Sequence, residues 1–113
     1  YMDEFQMAGV ILGTIISKPD NQIVIGDTGY KCLGSPGGIL PKVHDVPNVE
    51  VSELGPDHIV LHDMSENGLN IGDRYSLVPG QQDIMVNRWD QFIGIRNGLV
   101  ECVLDIPGRG CHN

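Results

Sequence analysis

Short apolar runs, broken every few residues by turn-forming side chains, alternate along the whole chain. The strongest run is Val10-Ile11-Leu12-Gly13-Thr14-Ile15-Ile16-Ser17, whose β-branched residues predict a largely buried strand. Lys18-Pro19-Asp20-Asn21 reads as a turn, and Gln22-Ile23-Val24-Ile25 as the second arm of a hairpin. Asp27-Thr28-Gly29-Tyr30-Lys31 then leaves the sheet, with Asp27 expected to fix the turn by accepting backbone N–H bonds.

Residues 34–47 carry Gly34, Pro36, Gly37, Gly38, Pro41 and Pro47 and predict a long loop. Val49-Glu50-Val51-Ser52-Glu53-Leu54 alternates apolar and polar, the pattern of a half-buried strand. Further strands are expected at His58-Ile59-Val60-Leu61-His62 and Asp73-Arg74-Tyr75-Ser76-Leu77-Val78. Asn97-Gly98, between Gln91-Phe92-Ile93-Gly94-Ile95-Arg96 and Leu99-Val100-Glu101-Cys102-Val103-Leu104, is a strong hairpin signal. A type I′ turn needs positive φ at both central residues, and Asn and Gly tolerate that best. No run has a sustained 3.6-residue period, and residues 82–89 have room for one helical turn at most. Seven short strands with frequent turns predict an all-β fold, a small closed or partly open barrel over residues 1–113.

Composition supports a folded domain: 41% of residues are hydrophobic and 19% charged, with 15 Gly and 7 Pro for the turns. The net charge of −8 repels phosphate backbones and argues against a nucleic-acid partner. The longest apolar stretch is far too short to cross a bilayer, and the acidic start lacks the basic region of a signal peptide. Cys32, Cys102 and Cys111 form no CxxC pair and fit reduced thiols, so a cytoplasmic protein is expected.

Several stretches, in order, resemble one family. Gly13-Thr14-Ile15-Ile16-Ser17-Lys18-Pro19, Asp27-Thr28-Gly29-Tyr30-Lys31, Asp57-His58, Ile71-Gly72-Asp73-Arg74 with Leu77-Val78-Pro79, Val86-Asn87 with Asp90, and Gly108-Arg109-Gly110 are similar to the C-terminal domains of D-threonine aldolases and D-serine dehydratases. Those enzymes are alanine racemase-like, with a pyridoxal-phosphate barrel followed by a β-domain. The resemblance implies cleavage or dehydration of a β-hydroxy D-amino acid. It also implies that this chain is a C-terminal piece whose partners are its own N-terminal barrel, which binds pyridoxal phosphate, and a second subunit in a homodimer. On that reading the chain is inactive alone. The alternative is a non-catalytic β-barrel module that binds a partner or closes a dimer interface.

The family's metal pair follows the Pro, as His-x-Cys or His-x-Asp. The matching positions are Gln81 and Asp83, so a neutral amide replaces the imidazole. In an extended segment residues i and i+2 share a face, which would let both reach one ion. Two oxygen donors favour Mg²⁺, Mn²⁺ or Ca²⁺ over Zn²⁺. The bland alternative has Asp83 capping a turn and Gln81 bonding backbone. His58 matches a family His and is the catalytic candidate, sharing a strand face with His62. His44, in the long loop, is a substitute ligand near Asp83, and His112 a fourth imidazole. Lys31 reads as a loop charge or junction contact, Arg109 as a partner for an acid or part of a flexible tail, and Trp89 and Phe92 as aromatics buried in the core or against the N-terminal barrel.

Overall fold

The computed structural model of the chain describes residues 5–34 and 38–111. Its main body is a six-stranded antiparallel sheet: β1 (Ile11–Asp20), β2 (Ile23–Gly26), β3 (Lys42–Val43), β4 (Val49–Leu54), β5 (Ile59–Asp63) and β6 (Arg74–Val78). The lateral order is β3-β6-β1-β2-β5-β4. The two outer strands, β3 and β4, lie against each other without a shared ladder, so the sheet curls into a nearly closed barrel with one seam. Strands β7 (Gln91–Arg96) and β8 (Leu99–Asp105) form a separate hairpin.

Alternation along each strand builds the interior. Ile11, Gly13 and Ile15 of β1 point inward, with Leu12 and Ile16 outward. Register carries the same face around the barrel: Ile11 opposes Leu77, Gly13 opposes Tyr75, Val24 opposes Leu61, Gly26 opposes Ile59, and Val49 opposes Asp63. The core is Ile11, Ile15, Val24, Val49, Ile59, Leu61, Tyr75 and Leu77 from the barrel, closed off by Leu33, Leu69 and Met85.

Two glycines make room for the largest core side chain. A Cβ on Gly13 or on Gly26 would collide with the ring or hydroxyl of Tyr75. The ring therefore lies across β1 and β2 and extends its hydroxyl to Thr28 Oγ1, 2.7 Å away. A bare phenol oxygen in an apolar core would be costly, and this bond satisfies it. Burial pushes the Tyr75 hydroxyl above its ordinary pKa, only partly offset by the Thr28 bond.

Asp63 is the one buried charge among the described residues, with 1% of its surface exposed. Its carboxylate accepts the Leu69 N–H at 2.6 Å and the Ser65 N–H at 2.9 Å, and folds the following loop over that end of the barrel. Burial pushes this carboxyl up. The backbone N–H donors and the Lys18 charge outweigh it, so the net displacement is downward.

Most predicted strands are present within a residue or two, with three corrections. Lys18-Pro19-Asp20 continue β1, and the turn falls at Asn21 and Gln22, where Asp20 Oδ1 accepts the Gln22 N–H at 2.9 Å. The β1–β2 register slips between Ser17 and Asp20, which lets a strand hold Pro19. The loop over 34–47 contains β3, a two-residue strand, while Ser35, Pro36 and Gly37 lie outside the described residues. A one-turn helix that the pattern does not predict, α1 (Tyr30–Leu33), follows β2, while the single turn allowed over residues 82–89 is present as α2 (Gln82–Val86).

Candidate functional site

One end of the barrel gathers most of the residues singled out by sequence, and α1 is its centre. Two residues past the end of β2, Thr28 is held by Tyr75, while Asp27 Oδ1 accepts the Thr14 N–H at 2.8 Å. Asp27 thus accepts a backbone N–H as expected, though from β1 and not from its own turn. Helix α1 has no side-chain N-cap. Its first N–H groups instead reach the turn before β5: Tyr30 N–H to the Gly55 carbonyl at 2.9 Å and Lys31 N–H to the Pro56 carbonyl at 3.2 Å. Its last carbonyls are capped from the other side. Arg88 Nη1 donates to the Lys31 carbonyl at 3.1 Å, and Trp89 Nε1 to the Cys32 carbonyl at 2.9 Å. A short helix leaves these groups orphaned, and here neighbours on both sides supply the partners.

Lys31 Nζ pairs with the Asp57 carboxylate at 3.1 Å, both side chains being well exposed. Lys31 is therefore a loop charge tied to the turn that carries His58. Cys32, half-buried, donates its thiol to the Gly29 carbonyl at 3.1 Å. Burial pushes that thiol up and the backbone bonds pull it down less, so it is held above its ordinary pKa and disfavoured as a nucleophile.

Gln81 and Asp83 do not sit on an extended segment. Gln81 has extended backbone (φ −139°, ψ 127°) but occupies the N-cap of α2, and Asp83 lies in that helix's first turn. The i, i+2 argument for a shared face therefore fails here. The reason is burial: Met85 enters the core, Val86 packs against it, and a helical turn is what turns both inward from an exposed Gln81-Gln82-Asp83 start. The amide that bonds backbone is not that of Gln81, which makes no capping bond, but that of Gln82, which donates to the Gly9 carbonyl at 2.8 Å. Asp83 is exposed and enters no ion pair among the described residues.

His58 is exposed in the turn preceding β5, and His62 is exposed within β5. His58 stands one residue before the strand begins at Ile59. His44 lines an open depression of about 510 Å³ at the barrel seam, with Asp45, Asn48, Glu50 and Met64, and not with the residues of α2. Both Asp45 oxygens are already engaged by Ser76, whose N–H and hydroxyl donate to them at 2.9 and 3.0 Å. His112 lies outside the described residues. Arg109 does pair with an acid, Asp90. Trp89 and Phe92 do not enter the core of this chain: each is about 40% exposed, so of the two expected places of burial only the one outside the chain stays open.

No group of three or more His, Cys, Asp or Glu side chains is placed to hold a metal among the described residues. Gln81 and Asp83 offer one amide and one carboxylate, too few donors to complete a site unaided. What the structure does bring together is α1, the Asp57-His58 turn and the α2 exit, joined by bonds between residues 26 and 57 positions apart. Such pairings have no local sequence signal. Thr28 with Tyr75, 47 positions apart, is legible only once the strands are aligned.

Comparison with known proteins agrees with this architecture. Residues 8–95 match the family model described as the putative serine dehydratase domain. The chain is 32% identical over 107 residues to a 3-hydroxy-D-aspartate aldolase of Paracoccus denitrificans, a match that covers 95% of this chain and 27% of that protein. A D-threonine aldolase of Arthrobacter sp is 28% identical over 107 residues, covering 94% and 28%. Among solved structures, D-threonine aldolase from Filomicrobium marinum superposes with a TM-score of 0.88 at 27% identity, over 96% of this chain and 30% of that one. The D-threo-3-hydroxyaspartate dehydratase from Delftia sp. HT23 shares the fold, with a TM-score of 0.68 at 15% identity. The chain thus spans between a quarter and a third of the length of the relatives it matches.

Proposed function

Since the chain belongs to the family of the putative serine dehydratase domain, we propose that it works as the β-domain of a longer pyridoxal-phosphate-dependent lyase acting on a β-hydroxy D-amino acid. The observation that carries this reading is the superposition on a D-threonine aldolase over 96% of the chain at a TM-score of 0.88. Pyridoxal phosphate, bound by polypeptide outside these residues, would supply the electron sink for the carbanion.

The work of this chain is then to present one barrel end to the substrate. His58 is exposed there and is the side chain suited to exchange a proton with the substrate's β-hydroxyl. Its turn is held by α1, through the Gly55 and Pro56 carbonyls and the Lys31–Asp57 pair. Asp83 offers a carboxylate acceptor at the start of α2. Gln81 and Asp83 would hold a metal ion only together with donors from outside this chain.

One observation favours the alternative of a non-catalytic module: an amide stands at position 81, where the family's pattern has a metal-binding imidazole. The deciding experiment assays the complete gene product, and separately the 113-residue chain, for cleavage or dehydration of D-threonine, D-serine and 3-hydroxy-D-aspartate with pyridoxal phosphate added. Turnover by the complete product alone is expected. Activity of neither supports the non-catalytic module, and activity of the 113 residues alone overturns the assignment of the cofactor to polypeptide outside them.

A further inference from the structure

The β7–β8 hairpin is apolar on both faces. Register places Ile93 opposite Val103 and Ile95 opposite Val100 on one face, and Phe92 opposite Leu104 with Leu99 beyond on the other. All seven side chains are exposed, from 42% for Phe92 to 73% for Leu99. No ladder joins the hairpin to the six-stranded sheet. Its two legs are tied together at the base: the Ile106 N–H reaches the Asp90 carbonyl at 2.8 Å, Arg109 pairs with Asp90, and the Gly110 N–H reaches Asn87 Oδ1 at 2.6 Å; the base joins the barrel through Met85 in the core and through the Arg88 and Trp89 bonds to α1. The ribbon is therefore held out and not loose.

Two further features mark it as a surface meant to be covered. On a chain of net charge −8, residues 91–104 hold one cation and one anion, Arg96 and Glu101, and these pair with each other at 3.0 Å. The seven side chains expose on the order of 600 Å², the upper end of what a monomer leaves uncovered and approaching one partner's share of a standard interface. A two-stranded ribbon is also marginal in water by itself.

From this we infer that the hairpin is a docking ribbon, seated by both faces in an apolar cleft of the additional polypeptide that forms the greater part of its longer relatives. The inference rests on the proposed reading of the chain as one domain of a longer enzyme. A second copy is the poorer occupant, because a two-fold contact buries the same face of each copy and leaves the other bare. The match to the Paracoccus aldolase spans 95% of this chain, hairpin included, in a protein of which the chain is only 27%. Further polypeptide that could supply the cleft is thus present in the relatives.

Hydrogen exchange, read by mass spectrometry, tests this on the 113-residue chain and on the product of its whole reading frame. In the chain alone, amides of residues 91–104 are expected to exchange at least 100-fold faster than those of β1 and β5. In the whole product they should slow at least 100-fold, and an Ile93→Lys/Val103→Lys variant should abolish that slowing while β1 and β5 stay protected. A larger product whose hairpin exchanges as fast as in the isolated chain overturns the docking inference and leaves the domain reading standing. A reading frame that adds no polypeptide overturns both. Concentration-dependent protection of the hairpin in the 113-residue chain makes a second copy the occupant and also overturns the inference.

Discussion

The hydroxyl of Tyr75 and Oγ1 of Thr28, 47 residues apart, meet at 2.7 Å inside the barrel and join strand β6 to the segment that opens the candidate site. Both side chains are buried, so neither can turn to water if the other is lost. The core and the positioning of α1 thus share one hydrogen bond.

Tyr75→Phe should remove that bond and leave the Thr28 hydroxyl without its partner, costing about 1–3 kcal/mol. The denaturant midpoint should fall with an unchanged slope. The Tyr75→Phe/Thr28→Val double variant should recover part of the loss, because neither polar group then remains unsatisfied. Equal losses in the single and double variants would count against the bond as the cause. Gly13→Ala should be more damaging than either, since its Cβ would meet the Tyr75 ring directly.

Asp63 makes part of the domain's stability sensitive to acid. Its folded pKa is lowered, so its contribution is complete above the unfolded carboxyl value of about 4 and disappears as pH falls through the folded value. Asp63→Asn should destabilise the domain at pH 7 and do so progressively less below pH 4. Urea titrations of both proteins between pH 2 and 7 should show the two stability curves converging on the acid side. A constant gap would place the effect in packing and not in the charge.

The exposed Lys31–Asp57 pair should be worth little to stability, within about 1 kcal/mol, and its effect should be screened by salt. Trp89→Phe removes the donor to the Cys32 carbonyl, at a cost of about 0.5–1.5 kcal/mol. Thermal melts with and without 0.5 M salt separate the two: Lys31→Ala should respond to salt and Trp89→Phe should not.

In the complete gene product, His58→Ala should lower kcat/KM by about 10²–10⁴-fold if the imidazole transfers a proton. Asp83→Asn should also lower it, while His44→Ala, at the seam, should leave it within a factor of two. Steady-state kinetics on a D-threo-β-hydroxy substrate decide this. An unchanged His58→Ala enzyme would remove that residue from the site.

Sequence pattern was informative wherever local chemistry determined the outcome. β-branched alternation located β1, β4 and β5, and Asn97-Gly98 located the β7–β8 turn, where φ is 51° and 75°. What stayed hidden depends on distant partners. Strand β3 has two residues and exists because Lys42 and Val43 pair with Val78 and Leu77. Helix α1 exists because carbonyls of Gly55 and Pro56 take its N–H groups and Arg88 and Trp89 cover its end. The Gln81/Asp83 pair was misread as extended for the same reason: Met85 is drawn into a core that the linear sequence does not display. Trp89 and Phe92 lie outside that core, one spent on a hydrogen bond and the other on the hairpin.

The seam between β3 and β4 gives the barrel a built-in direction of failure. Every other neighbouring pair of strands is laced by backbone hydrogen bonds, so this slit is where the cylinder is held least by its backbone. β4, lacking a backbone partner on its outer side, is where a neighbouring extended chain would first gain purchase. Glu50 and Glu53, both exposed on that strand, set a negative fringe along the slit that discourages an acidic sibling from threading it.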